Sequence, residues 1–230
     1  MTFQPQAVLW DMDGTLVDTE PYWMHAETVL VESYGGTWSD DQALALIGKG
    51  LENSAVILQE AGVDLGVAEI VDHLTESVRE QLVSRGLPFR PGARELLLSL
   101  REAGYKTALV TMSMRRMAED VVKLLGFEGF DLVLGGDDVE RPKPHPDPYL
   151  KAAERLAVNI EDTVALEDSR TGLTSAVASG AVALGIPNLL GLDDLGAHAI
   201  WPTLDGRDHT DIAQLFAEHR SPAVGAQENL

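Results

Sequence analysis

Five short β-rich runs, each followed by a helical pattern, constrain the fold of this chain more than any other feature. The runs are Ala7–Trp10, Lys106–Thr111, Asp131–Leu134, Thr163–Glu167 and Ala181–Gly185. The segments Met114–Leu125 and Tyr149–Leu156 place apolar residues three or four positions apart, which is typical of helices packed on one face. Strands that alternate with helices form parallel sheets covered on both faces. The sequence therefore predicts an α/β fold with a doubly wound, mostly parallel sheet.

One interval interrupts this alternation. From Thr19 to about Arg85 the pattern is helical without a convincing strand, and this is too long for a simple crossover. We predict an inserted helical subdomain, with Gly86–Gly92 as the return hinge because proline restricts and glycine frees the backbone. The predicted division is a discontinuous α/β core of residues 1–18 and 86–220, a helical cap of residues 19–85 and a frayed tail of residues 221–230.

Composition excludes several classes of function. The chain has no cysteine, which rules out disulfides, thiolate metal sites and cysteine nucleophiles. Its formal net charge of -20 disfavours nucleic acids and anionic membranes as partners. Residues Met1 to Gln6 lack a basic region followed by an apolar core, and no stretch approaches the roughly 20 apolar residues of a membrane span. We expect a cytoplasmic protein, whose oligomeric state cannot be read from the sequence.

Two aspartates lie at the carboxyl end of the first β-rich run. Asp11 and Asp13 directly follow Ala7–Trp10, and Gly14 and Thr15 come next. Open α/β sheets bind ligands at the carboxyl ends of their strands. Burying two neighbouring negative charges is unfavourable unless a positive group lies between them. The pattern therefore indicates a hard divalent cation and a phosphorylated ligand.

Other chemistry-bearing residues also follow predicted strands, and parallel strands end at one edge of a sheet. Taken singly, each is typical of a structural role: a turn acid, a strand-terminal threonine, a solvated lysine or a helix cap. Their agreement at four strand exits favours a common site. The later groups are Thr111 with Ser113, Lys143, and Glu167 with Asp168.

These residue types suit phosphoryl transfer. One carboxylate can act as nucleophile, and a second can protonate the leaving oxygen and later take a proton from water. Carboxylate and carbonyl oxygens suit Mg²⁺. A lysine and a hydroxyl stabilise the remaining phosphoryl oxygens, and Gly14 allows the backbone N–H groups to approach a phosphate closely.

The residues Asp11-Met-Asp-Gly-Thr15, Thr111, Lys143 and Glu167-Asp168 resemble the four motifs of the haloacid dehalogenase superfamily. The insertion after the first motif resembles the subgroup with an α-helical cap, the β-phosphoglucomutase-like phosphatases. The resemblance covers residues 7 to about 215 and implies a Rossmann-like core. It also implies that Asp11 is the nucleophile and Asp13 the general acid and base. Mg²⁺ would be held by Asp11, the Asp13 carbonyl and Asp168, with Glu167 beside it, and the phosphoryl group by Thr111 and Lys143.

The favoured function is Mg²⁺-dependent hydrolysis of a small phosphomonoester, a sugar or polyol phosphate, through an aspartyl-phosphate. The cap would close over this small phosphorylated metabolite and supply specificity. Candidate phosphate or substrate contacts from the core are Gly14, Thr15, Ser113, Arg115 and Arg116. Those from the cap are Glu20, Trp23, His25, Lys49 and Asn53, although a helical histidine is more often structural.

Alternatives stay open at this point. β-Phosphoglucomutases, the main alternative, have a histidine at the place of Trp23 and a cap arginine near that of Leu51. Dehalogenases typically lack the second acid, here Asp13. Phosphonatases use a cap lysine as a Schiff base, and Lys49 is the only lysine in the insertion. An alternative of another class is a receiver-like phosphoacceptor without turnover. A catalytically dead scaffold is disfavoured because every expected catalytic position is filled.

Overall fold

A computed structural model describes residues 4–47 and 49–220 and places their strands in one six-stranded sheet. In chain order the strands are β1 (Ala7–Trp10), β2 (Lys106–Val110), β3 (Leu132–Leu134), β4 (Thr163–Glu167), β5 (Val182–Gly185) and β6 (Ala199–Ile200). Their spatial order is β3-β2-β1-β4-β5-β6, and all neighbours are parallel. The chain winds outward from the centre in both directions, which confirms the predicted doubly wound α/β fold.

Strand bounds differ slightly from those predicted. β2 ends at Val110, so Thr111 lies just beyond the strand, while β3 and β5 each begin one residue later than predicted. Asp131 lies outside β3, where its carboxylate accepts from the Thr107 N–H (2.8 Å). The strand β6 was not predicted because two residues are too short to show a pattern.

Alternate residues of the central strand face opposite sides of the sheet. Val8 and Trp10 of β1 belong to one buried apolar cluster, and Ala7 and Leu9 belong to a second. Helices cover both faces, so that all four residues are fully buried. This is why β1 is a continuous apolar run rather than an alternating one.

Helices occupy most of the remaining described chain. In order they are α1 (Glu20–Ser33), α2 (Asp40–Leu44), α3 (Leu51–Glu60), α4 (Val67–Arg85), α5 (Ala93–Glu102), α6 (Arg115–Leu124), α7 (Asp147–Arg155), α8 (Arg170–Ser179) and α9 (His209–Arg220). Side chains fix some of their starts: Ser39 forms a capping box with Gln42, and the Ser169 hydroxyl accepts from the Gly172 N–H. None of the helices within residues 4–47 and 49–220 is long and apolar enough to cross a membrane.

Helices α1 to α4 form the insertion between β1 and α5. Helix α1 packs against α2 and α4, and α3 packs against α4. The two connecting segments run side by side: the Asp18 N–H donates to the Pro88 carbonyl (2.7 Å) and the Arg90 N–H donates to the Leu16 carbonyl (3.0 Å). The insertion therefore leaves and rejoins the sheet at one place, next to Asp13. The tail predicted to be frayed, residues 221–230, lies outside the described residues.

Candidate active site

The predicted site residues converge at the carboxyl ends of the central strands. Asp11 follows β1, Thr111 follows β2, and Glu167 is the last residue of β4. Strands β2 and β4 flank β1, so these three residues come from adjacent strands. A cavity of about 110 Å³ lies between this sheet edge and helices α1 to α3, and Asp11 lines it.

Lys143 joins two strand ends. Its ammonium group lies 2.7 Å from Asp11 Oδ1 and 2.6 Å from Glu167 Oε1, and it donates to the Val110 carbonyl (2.9 Å). Burial disfavours the charge on this lysine, but Asp11 and Glu167 outweigh that effect and raise the pKa of Lys143 above its usual value. Lys143 is therefore a permanent cation that orients the Asp11 carboxylate.

The carboxylates around Lys143 carry more charge than it can balance. Burial, followed by the charge of Glu167, raises the pKa of Asp11 to about 7, although Lys143 opposes the rise. Burial and the charge of Asp11 likewise raise the pKa of Asp168 well above its usual value. When all three acids are ionised, Lys143 leaves two negative charges uncompensated. Asp11, Glu167 and Asp168 each bring one oxygen within 4.8 Å of the others, a set that suits a divalent cation.

Asp13 is held by four donors from two parts of the chain, the segment after β2 and the start of α1. Its Oδ2 accepts from the hydroxyls of Thr111 (3.2 Å) and Ser113 (2.7 Å), both of which follow β2. Its Oδ1 accepts from the Thr19 hydroxyl and from the Trp23 indole N–H (3.2 Å), which belongs to α1. The Asp13 carboxylate thus links the sheet edge to the helical insertion.

Two glycines allow backbone to lie against the buried acids. Gly14 has φ +83°, and a Cβ there would lie 2.0 Å from Asp168 Oδ2. A Cβ at Gly172 would lie 1.9 Å from Glu167 Oε2. A side chain at either position would displace a carboxylate of the candidate metal group.

The polar groups of the turn after β1 contact other groups of the protein. The Gly14 N–H donates to the Val17 carbonyl (2.7 Å), and the Thr15 N–H points to the Met12 carbonyl (3.4 Å). The Thr15 hydroxyl lies 3.5 Å from Asp168 Oδ1. These contacts give Gly14 and Thr15 a part in positioning the acids, and their contact with phosphate stays a prediction.

The opposite side of the cavity belongs to the insertion, and we call it the insertion side. Burial and the charge of Asp13 raise the pKa of Glu20, one of its members, to about 8. The insertion side consists of Glu20, Trp23, Met24, Glu27, Ala43, Leu46, Ile47 and Leu51. Four of these eight residues, Glu20, Trp23, Met24 and Glu27, lie on α1, which presents one face to the sheet edge.

Four predicted contacts lie elsewhere. The side chains of Lys49, His25 and Asn53 are exposed and do not line the cavity. Arg115 forms ion pairs with Glu119 and Asp138 on its own side of the sheet.

Arg116, the other arginine after the second motif, also points away from the cavity. It pairs with Asp72 of α4 (2.5 Å). A second ion pair, between Arg79 and Asp120 (2.6 Å), joins the same two helices. Arg116 therefore ties α6 to the insertion in the described structure.

Three residues that contact the site acids or line the cavity were not predicted from the sequence. The Tyr149 hydroxyl donates to Glu167 Oε1, the Thr19 hydroxyl donates to Asp13, and Glu27 lines the cavity. Tyr149 and Thr19 lie within the range of about residues 7 to 215 that resembles the family, and nothing else in the sequence marked them. Nothing in the sequence distinguishes Glu27 from the other acids of α1.

A parallel α/β sheet that carries a group of acids around one lysine at its carboxyl edge suits the hydrolysis of phosphate esters with a divalent cation. Residues 8–186 match the model of the family described as haloacid dehalogenase-like hydrolase. The chain belongs to that family, and it is a phosphatase of the haloacid dehalogenase type.

Relatives and solved structures agree with this assignment. The chain is 35% identical to a phosphorylated carbohydrates phosphatase of Thermotoga maritima, over 76% of this chain and 82% of that protein. It is 29% identical to hexitol phosphatase B of Escherichia coli, over 79% and 83% respectively. Its structure resembles CbbY of Rhodobacter sphaeroides in complex with xylulose 1,5-bisphosphate, with a TM-score of 0.82, 26% identity and coverage of 91% and 99%.

Proposed function

We propose that this protein hydrolyses small phosphomonoesters, sugar or polyol phosphates, with Mg²⁺ and through a phosphorylated Asp11. One observation carries the proposal: Lys143 holds Asp11 within a buried group of three acids, while Asp13 faces the same cavity. The relatives named for phosphorylated carbohydrates and hexitols support this substrate class.

In the first step an Asp11 oxygen attacks phosphorus and forms an acyl-phosphate, while the bond from phosphorus to the alcohol oxygen breaks. Protonated Asp13 donates its proton to that oxygen, and the neutral alcohol leaves. Lys143 keeps the Asp11 carboxylate oriented and adds positive charge beside the transferring group.

In the second step water attacks the phosphorus of the acyl-phosphate. Asp13, now ionised, takes a proton from that water, and the bond between phosphorus and the Asp11 oxygen breaks. Inorganic phosphate leaves, and Asp11 is regenerated. The four donors around Asp13 hold its carboxylate in one place for both proton transfers.

The buried acids fit Mg²⁺. Asp11, Glu167 and Asp168 supply oxygen ligands in one place, and the close approach of Gly14 and Gly172 keeps two of these carboxylates in position. When bound, Mg²⁺ would neutralise the excess negative charge and make the site accept an anionic phosphate. Tyr149 and Lys143 hold Glu167 in the orientation that this requires.

Residues 19–85 act in this proposal as a cap over the substrate. Their helices supply the insertion side of the cavity, and their two connecting segments run side by side next to Asp13. Closure would exclude water while the first step takes place.

The test is phosphate release from 4-nitrophenyl phosphate and from a panel of sugar and polyol phosphates, with Mg²⁺ and with a chelator. We expect turnover with Mg²⁺ and none with the chelator. Conversion of a sugar 1-phosphate into its 6-phosphate without phosphate release would instead show a mutase. A stable phosphoprotein without turnover would favour the phosphoacceptor alternative, which the family assignment already disfavours.

A further inference from the structure

The insertion side of the cavity is acidic. It carries two carboxyl groups, Glu20 and Glu27, and otherwise apolar side chains. Among the described residues that line the whole cavity, Lys143 is the only cation, and it is already bound to Asp11 and Glu167. A phosphate on Asp11 has Lys143 and the metal group beside it, but a second anionic group towards α1 would meet no cation, only the two carboxyl groups and apolar side chains.

Glu27 is the most confined of these acids. It is 6% exposed, lines the cavity from α1, and has one fully buried oxygen, Oε2, without a hydrogen-bond partner. Burial raises the pKa of Glu27 to about 7, and the neighbouring Trp38 indole lowers it in part. The Trp38 indole N–H is therefore a neighbouring donor for one oxygen of Glu27, although neither group makes a hydrogen bond of good geometry.

The single Trp38 N–H can satisfy only one of the two oxygens of this carboxyl group, so Glu27, which lines the cavity, can still accept from a donor that a ligand supplies. Glu27 follows Trp23 by one helical turn, so it lies farther along α1 from Asp13 than the Trp23 indole that contacts this acid. This position suits the remote end of a leaving group whose phosphate lies against Asp11. A hydroxyl can donate to Glu27, whereas a carboxylate or a second phosphate cannot.

We propose that Glu27 determines substrate specificity: it accepts a hydroxyl of an uncharged, polyhydroxylated leaving group and excludes substrates with a second anionic group. The proposal rests on the proposed phosphatase function. It assigns to this protein monophosphates of sugars or polyols, in contrast to the bisphosphate seen with the CbbY structure.

Two compounds with the same carbon chain test this assignment. D-Sorbitol 6-phosphate and 6-phosphogluconate differ in whether the terminal carbon is a hydroxymethyl group or a carboxylate. Each is measured as an inhibitor of Mg²⁺-dependent 4-nitrophenyl phosphate hydrolysis at about pH 8, above the pKa of Glu27. We expect sorbitol 6-phosphate to bind at least about tenfold more tightly.

Variants then locate the discrimination. Glu27→Gln removes the charge and keeps the shape, so the ratio of the two inhibition constants should fall at least about threefold. Glu27→Asp keeps the charge and should preserve most of the ratio. Glu32→Gln, on an exposed position of the same helix, is the matched control and should leave the ratio unchanged. A ratio within one variant is insensitive to a general loss of active protein, and melting curves check that each variant folds.

Two results would overturn the proposal. One is a wild-type ratio near one, which is decisive even if Glu27 variants fail to fold. The other is an unchanged ratio in folded Glu27→Gln. In both cases turnover of 4-nitrophenyl phosphate would leave the phosphatase function standing. If that ester is not hydrolysed at all, the proposed function itself fails, and the specificity assignment fails with it.

Discussion

The two sides of the active-site cavity differ in how their polar groups are satisfied. At the sheet edge Lys143 pairs with Asp11 and Glu167, and four donors surround Asp13. On the insertion side Glu27 is buried with an unpartnered oxygen among mostly apolar residues. The first side is organised before any ligand binds, whereas the second keeps a carboxyl group that can accept from a ligand.

This difference separates chemistry from specificity. Fixed charges and donors stabilise a developing charge best when they need no rearrangement, which suits the sheet edge. An unsatisfied carboxyl discriminates between ligands because only some of them provide a donor. Changes at the sheet edge should therefore reduce the rate for every substrate, and changes on the insertion side should alter the ranking of substrates.

The largest effect is expected for Asp11→Asn. An amide cannot form the acyl-phosphate, so kcat should fall by about 10⁴-fold or more for every substrate. Steady-state phosphate release measures this, and Asp64→Asn at an exposed position is the control. Activity of Asp11→Asn close to the wild-type value would show that another residue is the nucleophile.

Asp13→Asn should cause the next largest loss of hydrolysis rate, and the size of this loss should depend on the leaving group. Loss of general acid catalysis should reduce hydrolysis of an alkyl phosphate by about 10²- to 10⁴-fold. An activated aryl phosphate needs no proton on its leaving oxygen, so the variant should still release one equivalent of phenol in a rapid burst. Equal losses for both esters, without a burst, would contradict the assigned role.

Trp23→Phe tests the link between the two sides. It removes the indole N–H that donates to Asp13 (3.2 Å) and keeps an aromatic ring in the cavity. One lost hydrogen bond of about 1 kcal/mol corresponds to roughly a fivefold fall in kcat for an alkyl phosphate. Trp201→Phe, outside the cavity, should leave kcat unchanged. An unchanged kcat in Trp23→Phe would mean that the other three donors suffice.

The smallest effect should be the rise in thermal stability when Mg²⁺ binds. This rise should depend on the acids at the sheet edge and not on the insertion side. A ligand at tenfold its Kd stabilises the native state by about 1.4 kcal/mol, which raises the Tm by a few degrees for a chain of this size. Asp168→Asn should lose most of this shift, while Glu27→Gln should retain it. Calorimetry with Mg²⁺ and with a chelator measures the difference, and equal shifts in both variants would place the metal elsewhere.

Most of the site residues at the sheet edge could be predicted from the sequence, because the topology of a parallel sheet is enough to bring them together. Parallel strands end at one edge, so residues after β1, β2 and β4 must meet wherever these strands are neighbours. Strand ends were predicted less well: β2 stops before Thr111, and β6 is too short to recognise. Local hydrogen bonds set these ends, and apolar patterns do not report them.

The insertion side was predicted poorly for a physical reason. Lys49 and Asn53 were expected at the cavity and are exposed, while Glu27 was not expected there and is buried. Helical periodicity shows that α1 has an apolar face, but not how that face is rotated against the sheet. Tyr149 was missed in the same way, because its hydroxyl meets Glu167 only through the packing of α7.

The sequence by itself determined the α/β class, the family and the acids at the carboxyl ends of β1 and β4, because these depend on short-range pattern and strand polarity. Only the tertiary structure decided which side chains of the insertion face those acids. That choice depends on packing between α1, α4 and the sheet edge, whose contacts are distant in sequence. The Trp23 indole on Asp13 and the unsatisfied carboxyl of Glu27 both arise from it.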